Sequence, residues 1–152
     1  MLVCENGHVI TDMLEDLPYN DKFCSICGAR TISRCPSCDT RIRGAQSGVF
    51  VVGYVTPPPQ YCPECGVPMP WTQSKMEAMK ELAELDGGLS DGDKVQFMES
   101  ATATLSENPK TKVSAFKVKK FLGKMSKETA SAIRDLLVDM VAESAKRIIW
   151  PS

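Results

Sequence analysis

The sequence is poor in histidine, in aromatic residues and in long hydrophobic runs. Its 152 residues include one His and 7% aromatic side chains, and no stretch approaches the roughly 18 apolar residues of a membrane span. The segment from Met1 to Glu5 has neither the charged region nor the apolar region of a secretory signal. We therefore expect no transmembrane segment and a cytoplasmic location, where closely spaced cysteines are typically metal ligands rather than disulfides.

Cysteine, in contrast, is frequent, with seven copies in the chain. An odd number excludes a framework in which every thiol forms an intramolecular disulfide. Together with the single His, the cysteines make eight soft ligands, enough for two tetrahedral zinc ions. The ligands fall into four closely spaced pairs, in chain order Cys4/His8, Cys24/Cys27, Cys35/Cys38 and Cys62/Cys65. This pattern predicts two structural zinc ions per chain, each held by four protein ligands.

The residues around the pairs suit tight turns. A C-x2-C spacing places two thiolates on one side of a turn, where both can reach one ion. Gly28 and Gly66 directly follow the second cysteine of a pair and permit the positive φ that turns the chain back. Pro36 and Pro63 follow the first cysteine and fix φ for the turn.

The order in which the pairs combine stays open at this point. Sequential combination joins the first pair with the second and the third with the fourth, and we favour it because short loops cost less closure entropy. An interleaved combination would join the first pair with the third. A nested combination would join the second pair with the third.

Short β segments are expected between the pairs, at residues 9–11, 29–32 and 49–55. The last is the strongest β run in the chain, and Pro57 to Pro59 would end it. A domain of this size buries little apolar surface, so bound metal must supply much of its folding free energy. We therefore expect a small metal-stabilised β domain, a tandem zinc ribbon, over residues 1–72.

Distinct motifs surround the ligand pairs: CENGHVIT at residues 4–11, FC at 23–24 with CGA at 27–29, CPSC at 35–38 with IRG at 42–44, and YCPECG at 61–66 leading to PWT at 70–72. With these motifs, residues 4–72 resemble a double zinc ribbon from a family of uncharacterised bacterial proteins. In that family a helical C-terminal region follows. The resemblance implies two sequential ribbons and a bacterial cytosolic setting, and it implies no activity.

After Trp71 the composition becomes helical, with no Cys, few Pro and many Ala, Glu, Lys and Leu. We expect a helical domain of about four helices over residues 73–152, which makes the protein α+β overall. The first helix would be capped by Thr72 or Ser74 and would end at Gly87 and Gly88. Its apolar stripe would comprise Met76, Met79, Leu82 and Ala83.

The remaining helices are predicted from caps and periodicity. Ser90 would cap a second helix whose buried side comprises Val95, Met98, Thr102 and Leu105. A third would cover residues 111–124. Ser126 would cap a single long helix over about residues 127–148, which has the best helical periodicity in the chain. That C-terminal helix would form the core of a bundle or, as the alternative, the seam of a homo-oligomer.

Charge is unevenly distributed along the chain. The net charge is −2 over residues 1–72, −5 over residues 73–108 and +6 over residues 109–152. Such asymmetry indicates either an interaction surface or two segments that attract one another within the fold. We favour internal compensation between the acidic and basic segments over external binding.

Catalysis is poorly supported, because the metal sites use every Cys and the only His, and no glycine-rich phosphate loop occurs. We expect a non-enzymatic adaptor or regulator that binds another protein through its rigid turns and through residues 57–60 and 67–71. Trp71 is more readily explained as part of the core.

The alternative is a zinc ribbon that binds DNA or RNA. Its contacts would be Arg30, Arg34, Arg41 and Arg43, near the aromatic residues Phe50, Tyr54, Tyr61 and Trp71, or the Lys-rich segment 110–124. One argument opposes it. Seven thiolates and two divalent ions would bring the net charge of residues 1–72 from −2 to −5, which repels polyanions.

Overall fold

The computed structural model describes residues 1–13, 21–45 and 51–152. It shows an α+β protein in which a small sheet precedes five helices. The three strands are β1 Leu2–Cys4, β2 Val9–Thr11 and β3 Thr31–Ile32. The helices are α1 Pro70–Leu85, α2 Asp91–Ala103, α3 Thr111–Leu122, α4 Lys127–Leu137 and α5 Glu143–Ile149. The chain falls into two compact units, unit 1 Met1–Ser74 and unit 2 Lys75–Ser152.

In unit 1, β1 is the central strand and pairs antiparallel with both β2 and β3. Val3 lies opposite Ile32 on one side and Val9 on the other, and the register to β2 shifts by a bulge between Leu2 and Val3. The strands are too short to bury a large surface. The core of this unit is instead a compact cluster of Met1, Val3, Cys35, Ile42, Cys62, Met69 and Trp71.

The strand predicted over residues 49–55 is wrong for the residues that the structure describes, 51–55. Residues 49 and 50 lie outside the described residues, and residues 51–55 form a turn in which the Tyr54 N–H donates to the Val51 carbonyl at 3.1 Å. Gly53 takes a φ of 80° in this turn, and the side chain of Val52 is 86% exposed. A β-branched run forms a strand only when a neighbouring strand pairs with it, and here none of the described residues does so.

Helix α1 begins earlier than predicted. It starts at Pro70. Proline is favoured in the first turn of a helix, because a backbone N–H at that position would have no partner within the helix and its absence costs nothing. Thr72 is not the cap, since its hydroxyl donates to the carbonyl and side-chain oxygens of Gln60 at 2.9 and 2.8 Å. Met79 and Ala83 of the predicted stripe are buried.

Helix α2 has the predicted cap but buries a different side. The Ser90 hydroxyl accepts a hydrogen bond from the Asp93 N–H at 3.1 Å, which confirms the cap. Val95, predicted to be buried, is 60% exposed, and Phe97 is fully buried. Phe97 packs edge-on against Phe121 of α3, with ring centroids 6.2 Å apart, so the largest apolar side chain decides which side of α2 faces the core.

The single C-terminal helix predicted over residues 127–148 is wrong, because the structure divides it into α4 and α5. Ser126 caps α4 as predicted and accepts from the Thr129 N–H at 3.2 Å. The start of α5 is held by the loop after α2. There the Glu107 carboxylate accepts from the Ser144 N–H at 3.1 Å and from its hydroxyl at 2.8 Å, and these bonds lower the pKa of Glu107.

One carboxylate ties the turn after α1 to the start of α4. Asp86 accepts from the Gly88 N–H at 2.8 Å and from the Ser126 N–H at 3.0 Å. The bond from Gly88, followed by that from Ser126, lowers the pKa of Asp86 to about 2. The side chain is therefore an ionised connector within unit 2.

No helix formed by the described residues is long and apolar enough to cross a membrane.

The packing of α2 predicts very different effects on stability for two nearby truncations. Phe97→Ala should destabilise unit 2 by about 3–5 kcal/mol, because it removes a buried ring and leaves a cavity. Val95→Ala should change the free energy of unfolding by less than about 0.5 kcal/mol, because the side chain is mostly exposed. Urea titration followed by circular dichroism at the helical band measures both. Similar costs for the two variants would contradict the observed packing.

Candidate metal centres

The structure brings the eight soft ligands together in two groups of four. Site 1 comprises Cys4, His8, Cys24 and Cys27, and site 2 comprises Cys35, Cys38, Cys62 and Cys65. Within each group the ligand atoms lie within 4.8 Å of one another. The pairs are thus combined in sequence order, and neither the interleaved nor the nested combination is formed. All seven cysteines are free thiols.

The ligand separations in site 1 suit a tetrahedral ion. The Cys4 and Cys27 sulfurs are 3.7 Å apart, and His8 Nδ1 lies 3.5 Å from the Cys4 sulfur. A second sulfur, that of Cys24, lies 3.7 Å from the same nitrogen. With bonds of about 2.3 Å to sulfur and about 2.0 Å to nitrogen, a tetrahedron places its ligands about 3.5–3.8 Å apart. The imidazole would therefore bind through Nδ1.

Site 2 has the same dimensions with four sulfurs. Cys35 and Cys65 are 3.8 Å apart, and Cys38 and Cys62 are 3.6 Å apart. A disulfide would require about 2.05 Å. These distances are therefore too long for a covalent bond and match the edges of a metal-centred tetrahedron.

Each C-x2-C pair lies in the same hydrogen-bonded turn. In the turn of Cys24, the cysteine N–H donates to the carbonyl five residues on, and its own carbonyl accepts from the N–H four residues on, both at 2.8 Å. The turns of Cys35 and Cys62 repeat both bonds at 2.8–2.9 Å. A single-residue β-bridge closes each turn, and the three bridges are Phe23 with Arg30, Arg34 with Arg41, and Tyr61 with Pro68. We call these three turns the cysteine knuckles.

The residue after the second cysteine needs a left-handed backbone in every knuckle. Gly28 and Gly66 take φ values of 71° and 72°, as their positions in the sequence predict. The equivalent residue in the second knuckle is Asp39, with φ 61°. Aspartate tolerates this conformation better than most residues but less well than glycine. Its carbonyl and carboxylate also accept hydrogen bonds from Arg34, at 2.8 and 3.3 Å.

Backbone N–H groups in the knuckles point at the sulfurs. The Ala29 N–H and the Asn6 side chain lower the pKa of the Cys27 thiol to about 6, and the hydroxyl and N–H of Thr40 lower that of Cys38 to about 6. At Cys65 the Val67 N–H acts in the same direction, but desolvation and the neighbouring thiols raise the pKa to about 12. The knuckles thus supply N–H donors that stabilise thiolates, and a metal ion would be needed to ionise a complete set.

Burial differs within each knuckle. Cys24, Cys35 and Cys62, which come first, are buried, whereas Cys27 and Cys65 are exposed. Each site is therefore anchored in unit 1 on one side and open to solvent at the turn on the other. In each site, four protein ligands would complete a tetrahedron around a bound ion.

The predicted interaction residues are distributed differently from expectation. Met69 and Trp71 are buried, and the Trp71 ring N–H donates to the Pro59 carbonyl at 2.9 Å. Much of residues 67–71 is therefore core rather than a display surface. Tyr54 is exposed and Tyr61 is half-buried. Phe50 lies outside the described residues.

The four arginines of the predicted nucleic-acid surface are all exposed. Arg34 and Arg41 lie directly opposite each other in the bridge of the second knuckle. Arg34 also forms an exposed ion pair with Asp39 at 3.3 Å. Arg30 closes the first knuckle, and Arg43 follows the second.

Charge compensation within unit 2 is smaller than predicted. Among the described residues, one ion pair joins the acidic segment 73–108 to the basic segment 109–152, that of Asp93 with Lys124 at 2.7 Å. The exposed lysines of α3 take part in none of the ion pairs that the described residues form.

Two exposed apolar side chains were missed by sequence reasoning. Phe23 and Ile26 lie in the first knuckle and are 65% and 71% exposed. A usable signal exists in the sequence, because the x positions of a C-x2-C turn and the residue before it face away from the ligands. The basic residues Lys22 and Arg30 are their neighbours in the chain and in the bridge.

Of the comparisons with known proteins, the family comparison gives a match. Residues 1–149 match the model of a family described as "Uncharacterized protein conserved in bacteria (DUF2321)". The match covers nearly the whole chain, so it includes both candidate metal sites and the five helices. No curated protein and no solved structure gives a significant match.

The backbone of the knuckles predicts substitutions of opposite sign. Gly28→Ala should destabilise unit 1 by about 1 kcal/mol, because a Cβ disfavours positive φ and nothing within 4 Å of its position adds a steric cost. Asp39→Gly should be neutral or stabilise by up to about 1 kcal/mol, since the exposed ion pair it removes contributes little.

Denaturant titration of the metal-loaded protein in a Trp150→Phe background measures both substitutions, because Trp71 then reports on unit 1. Gly66→Ala serves as the replicate of Gly28→Ala. A large loss of stability in Asp39→Gly would contradict the equivalence of the three knuckles.

Proposed function

The chain belongs to this family of uncharacterized bacterial proteins, and we propose that it is a non-enzymatic zinc-binding adaptor that mediates protein–protein interaction. Unit 1 is then a tandem zinc ribbon with one structural zinc ion in each site. The proposal rests on the chemistry of the two ligand groups and on the surface of the first knuckle. A reducing, cytoplasmic setting agrees with seven free thiols.

Zinc is the ion that these ligand sets favour. One His and seven thiolates are soft to borderline ligands, and tetrahedral sulfur-rich sets select zinc over magnesium or calcium. Four protein ligands leave no position for water or substrate, which is the arrangement of structural sites. When bound, the ion would hold each knuckle against its partner pair and contribute folding free energy to a unit with only three short strands.

The same ligand count supports a non-enzymatic role. The two sites use all seven cysteines and the only histidine of the chain. No thiol or imidazole is left to act as nucleophile or general base. We therefore assign the protein a binding role.

The exposed apolar pair on the first knuckle carries the proposal. Phe23 and Ile26 project from a turn that is fixed by hydrogen bonds and by the ligands Cys24 and Cys27. Apolar side chains on a rigid, solvent-facing turn lose little conformational entropy on binding, and aromatic residues dominate the energetics of protein interfaces. A partner protein with an apolar pocket fits this surface, which we call the knuckle patch.

Nucleic-acid binding is the second candidate, and one observation favours it. Arg34 and Arg41 are both exposed and lie opposite each other in a β-bridge, so one short turn presents two basic side chains that phosphates would contact, although Arg34 is also paired with Asp39. The lysines of segment 110–124 would be the other contact. The negative charge of metal-loaded unit 1 weighs against this candidate.

Metal analysis tests the two sites directly. We expect two zinc ions per chain by elemental mass spectrometry, and one ion after Cys24→Ala. In the Trp150→Phe background, chelation should unfold unit 1, seen as a change in Trp71 fluorescence, while the helical signal of unit 2 largely remains. Ser25→Ala, a change in the same turn that removes no ligand, is the matched control. A zinc content far below two, or unchanged folding in Cys24→Ala, would refute the proposed zinc sites.

Substitution of the knuckle patch tests the interaction. Phe23→Ser with Ile26→Ser should reduce capture of a partner protein from the native host at least tenfold, because each lost contact is expected to cost about 1 kcal/mol or more. The measurement is quantitative mass spectrometry of affinity-captured proteins. Leu85→Ser, which removes an exposed apolar side chain from unit 2, is the control and should retain the partner.

Two results would count against the interaction proposal. One is equal capture by the wild type and the Phe23/Ile26 variant at unchanged zinc content. The other is binding to generic DNA or RNA that falls steeply with salt and is weakened by Arg34→Glu with Arg41→Glu. The second result would favour the nucleic-acid candidate.

A further inference from the structure

Unit 2 is electrically polarised along the chain. Its acidic part, in α1 and α2, belongs to the segment of net charge −5, and its basic part, from α3 onward, belongs to the segment of net charge +6. One ion pair, between Asp93 and Lys124, joins the two segments among the described residues. Other charges pair within their own segment, as Glu84 does with Lys80 and Asp91 with Lys94, so few ion pairs connect the acidic and basic segments.

The outer side of α3 combines this positive charge with exposed apolar groups. Val113 and Phe116 are 58% and 63% exposed, while Val118 and Phe121 on the other side of the helix are buried. Lys112, Lys117 and Lys120 project from the same outer side as Phe116, because these positions fall within one arc of a 3.6-residue helix. We call this surface the α3 lysine face.

A groove between α1 and α2 combines apolar groups with a small acidic excess, because its lining contains three carboxylates and two lysines. It encloses about 500 Å³, its apolar lining is Ala83, Val95 and Met98, and its acidic lining is Glu84, Asp91 and Glu99. Lys80 and Lys94 also line it, but they are paired with Glu84 at 3.9 Å and Asp91 at 3.8 Å. Glu99 takes part in none of the ion pairs of the described residues. We call this surface the α1–α2 groove.

We propose that the α3 lysine face of one copy binds the α1–α2 groove of a second copy, so that the protein self-associates through unit 2. Both surfaces carry apolar side chains, and the lysines on α3, which are in none of the ion pairs of the described residues, would meet the carboxylate of Glu99 in the groove. None of the residues that line the groove belongs to α3, so the two surfaces share no residue and both can be used in the same complex. A two-fold dimer would satisfy both surfaces of both copies in one closed assembly.

This inference goes beyond the proposed adaptor function, because it needs neither zinc nor the knuckle patch. It also differs from the homo-oligomer predicted from the C-terminal helix. The long seam of that prediction does not exist, since α4 and α5 are separate helices. The groove and the α3 lysine face instead lie on α1, α2 and α3.

Sedimentation velocity of the full-length, metal-loaded protein tests the proposal. We expect the mass to rise from 16.7 kDa toward twice that value as the concentration increases to several hundred micromolar at low salt. High salt should shift the equilibrium back, because exposed charge pairs are screened. Lys117→Glu with Lys120→Glu should weaken self-association at least tenfold, and Glu84→Lys with Glu99→Lys should do the same.

The decisive measurement mixes the two reversed proteins. Each variant alone should stay monomeric, but an equimolar mixture should form a heterodimer, because both reversed surfaces then meet opposite charge. Lys127→Glu with Arg147→Glu carries the same change in net charge on α4 and α5 and should dimerise like the wild type. The Phe23→Ser, Ile26→Ser protein should also dimerise normally, which separates this proposal from the adaptor function.

Three outcomes would overturn the inference. The first is a wild type that remains at 16.7 kDa at every concentration. The second is self-association that is unaffected by either charge reversal. The third is failure of the mixed variants to associate while circular dichroism shows both to be folded.

Discussion

Unit 1 depends on one constraint: its four ligand pairs must meet at two places, site 1 and site 2. Its strands contain only two or three residues each, so regular hydrogen bonding cannot hold the unit together. Two of the converging thiols, those of Cys35 and Cys62, are also members of the apolar core. The proposed metal ions would therefore stabilise the core and the surface turns at once. The cysteine knuckles would be rigid because they share ligands with the core, so no additional interaction is needed to order them.

The candidate sites could be predicted from the sequence because their geometry is local. A C-x2-C pair with a following glycine encodes its own turn, and the structure repeats that turn three times with nearly the same hydrogen bonds. Asp39 was harder to anticipate, because the left-handed position in the second knuckle carries no glycine. The exposure of Phe23 and Ile26 is also a local property, because both residues face away from the ligands in this turn. It can be inferred from the sequence only after the conformation of the turn has been assumed.

The helical half was less predictable because its boundaries depend on tertiary contacts. Periodicity alone allows residues 127–148 to be one helix, and the break arises where Glu107, over 30 positions earlier, binds the first turn of α5. The buried side of α2 likewise depends on Phe97 meeting Phe121 of another helix. Caps such as Ser90 and Ser126 were predicted correctly, since a cap bonds within its own first turn. Local chemistry therefore defines most helix starts, and distant contacts define where helices break and which side they bury.

The difference between local and distant contacts also applies to charge. The net charge of each segment can be counted from the sequence, but which charges pair with one another depends on the tertiary structure. Segments of −5 and +6 within one chain favour mutual attraction, and the expected result is a set of ion pairs between them. The folded unit instead ties its acidic residues locally, as in the pairs of Lys80 with Glu84 and Lys94 with Asp91. The lysines of α3 take part in none of the ion pairs of the described residues, although Lys112 helps to lower the pKa of Glu107, because the apolar side of that helix, which packs against α2 and α5, decides its orientation. Burial of apolar groups is worth more than exposed ion pairs, so packing sets the direction of each helix and much of the charge stays at the surface of the molecule.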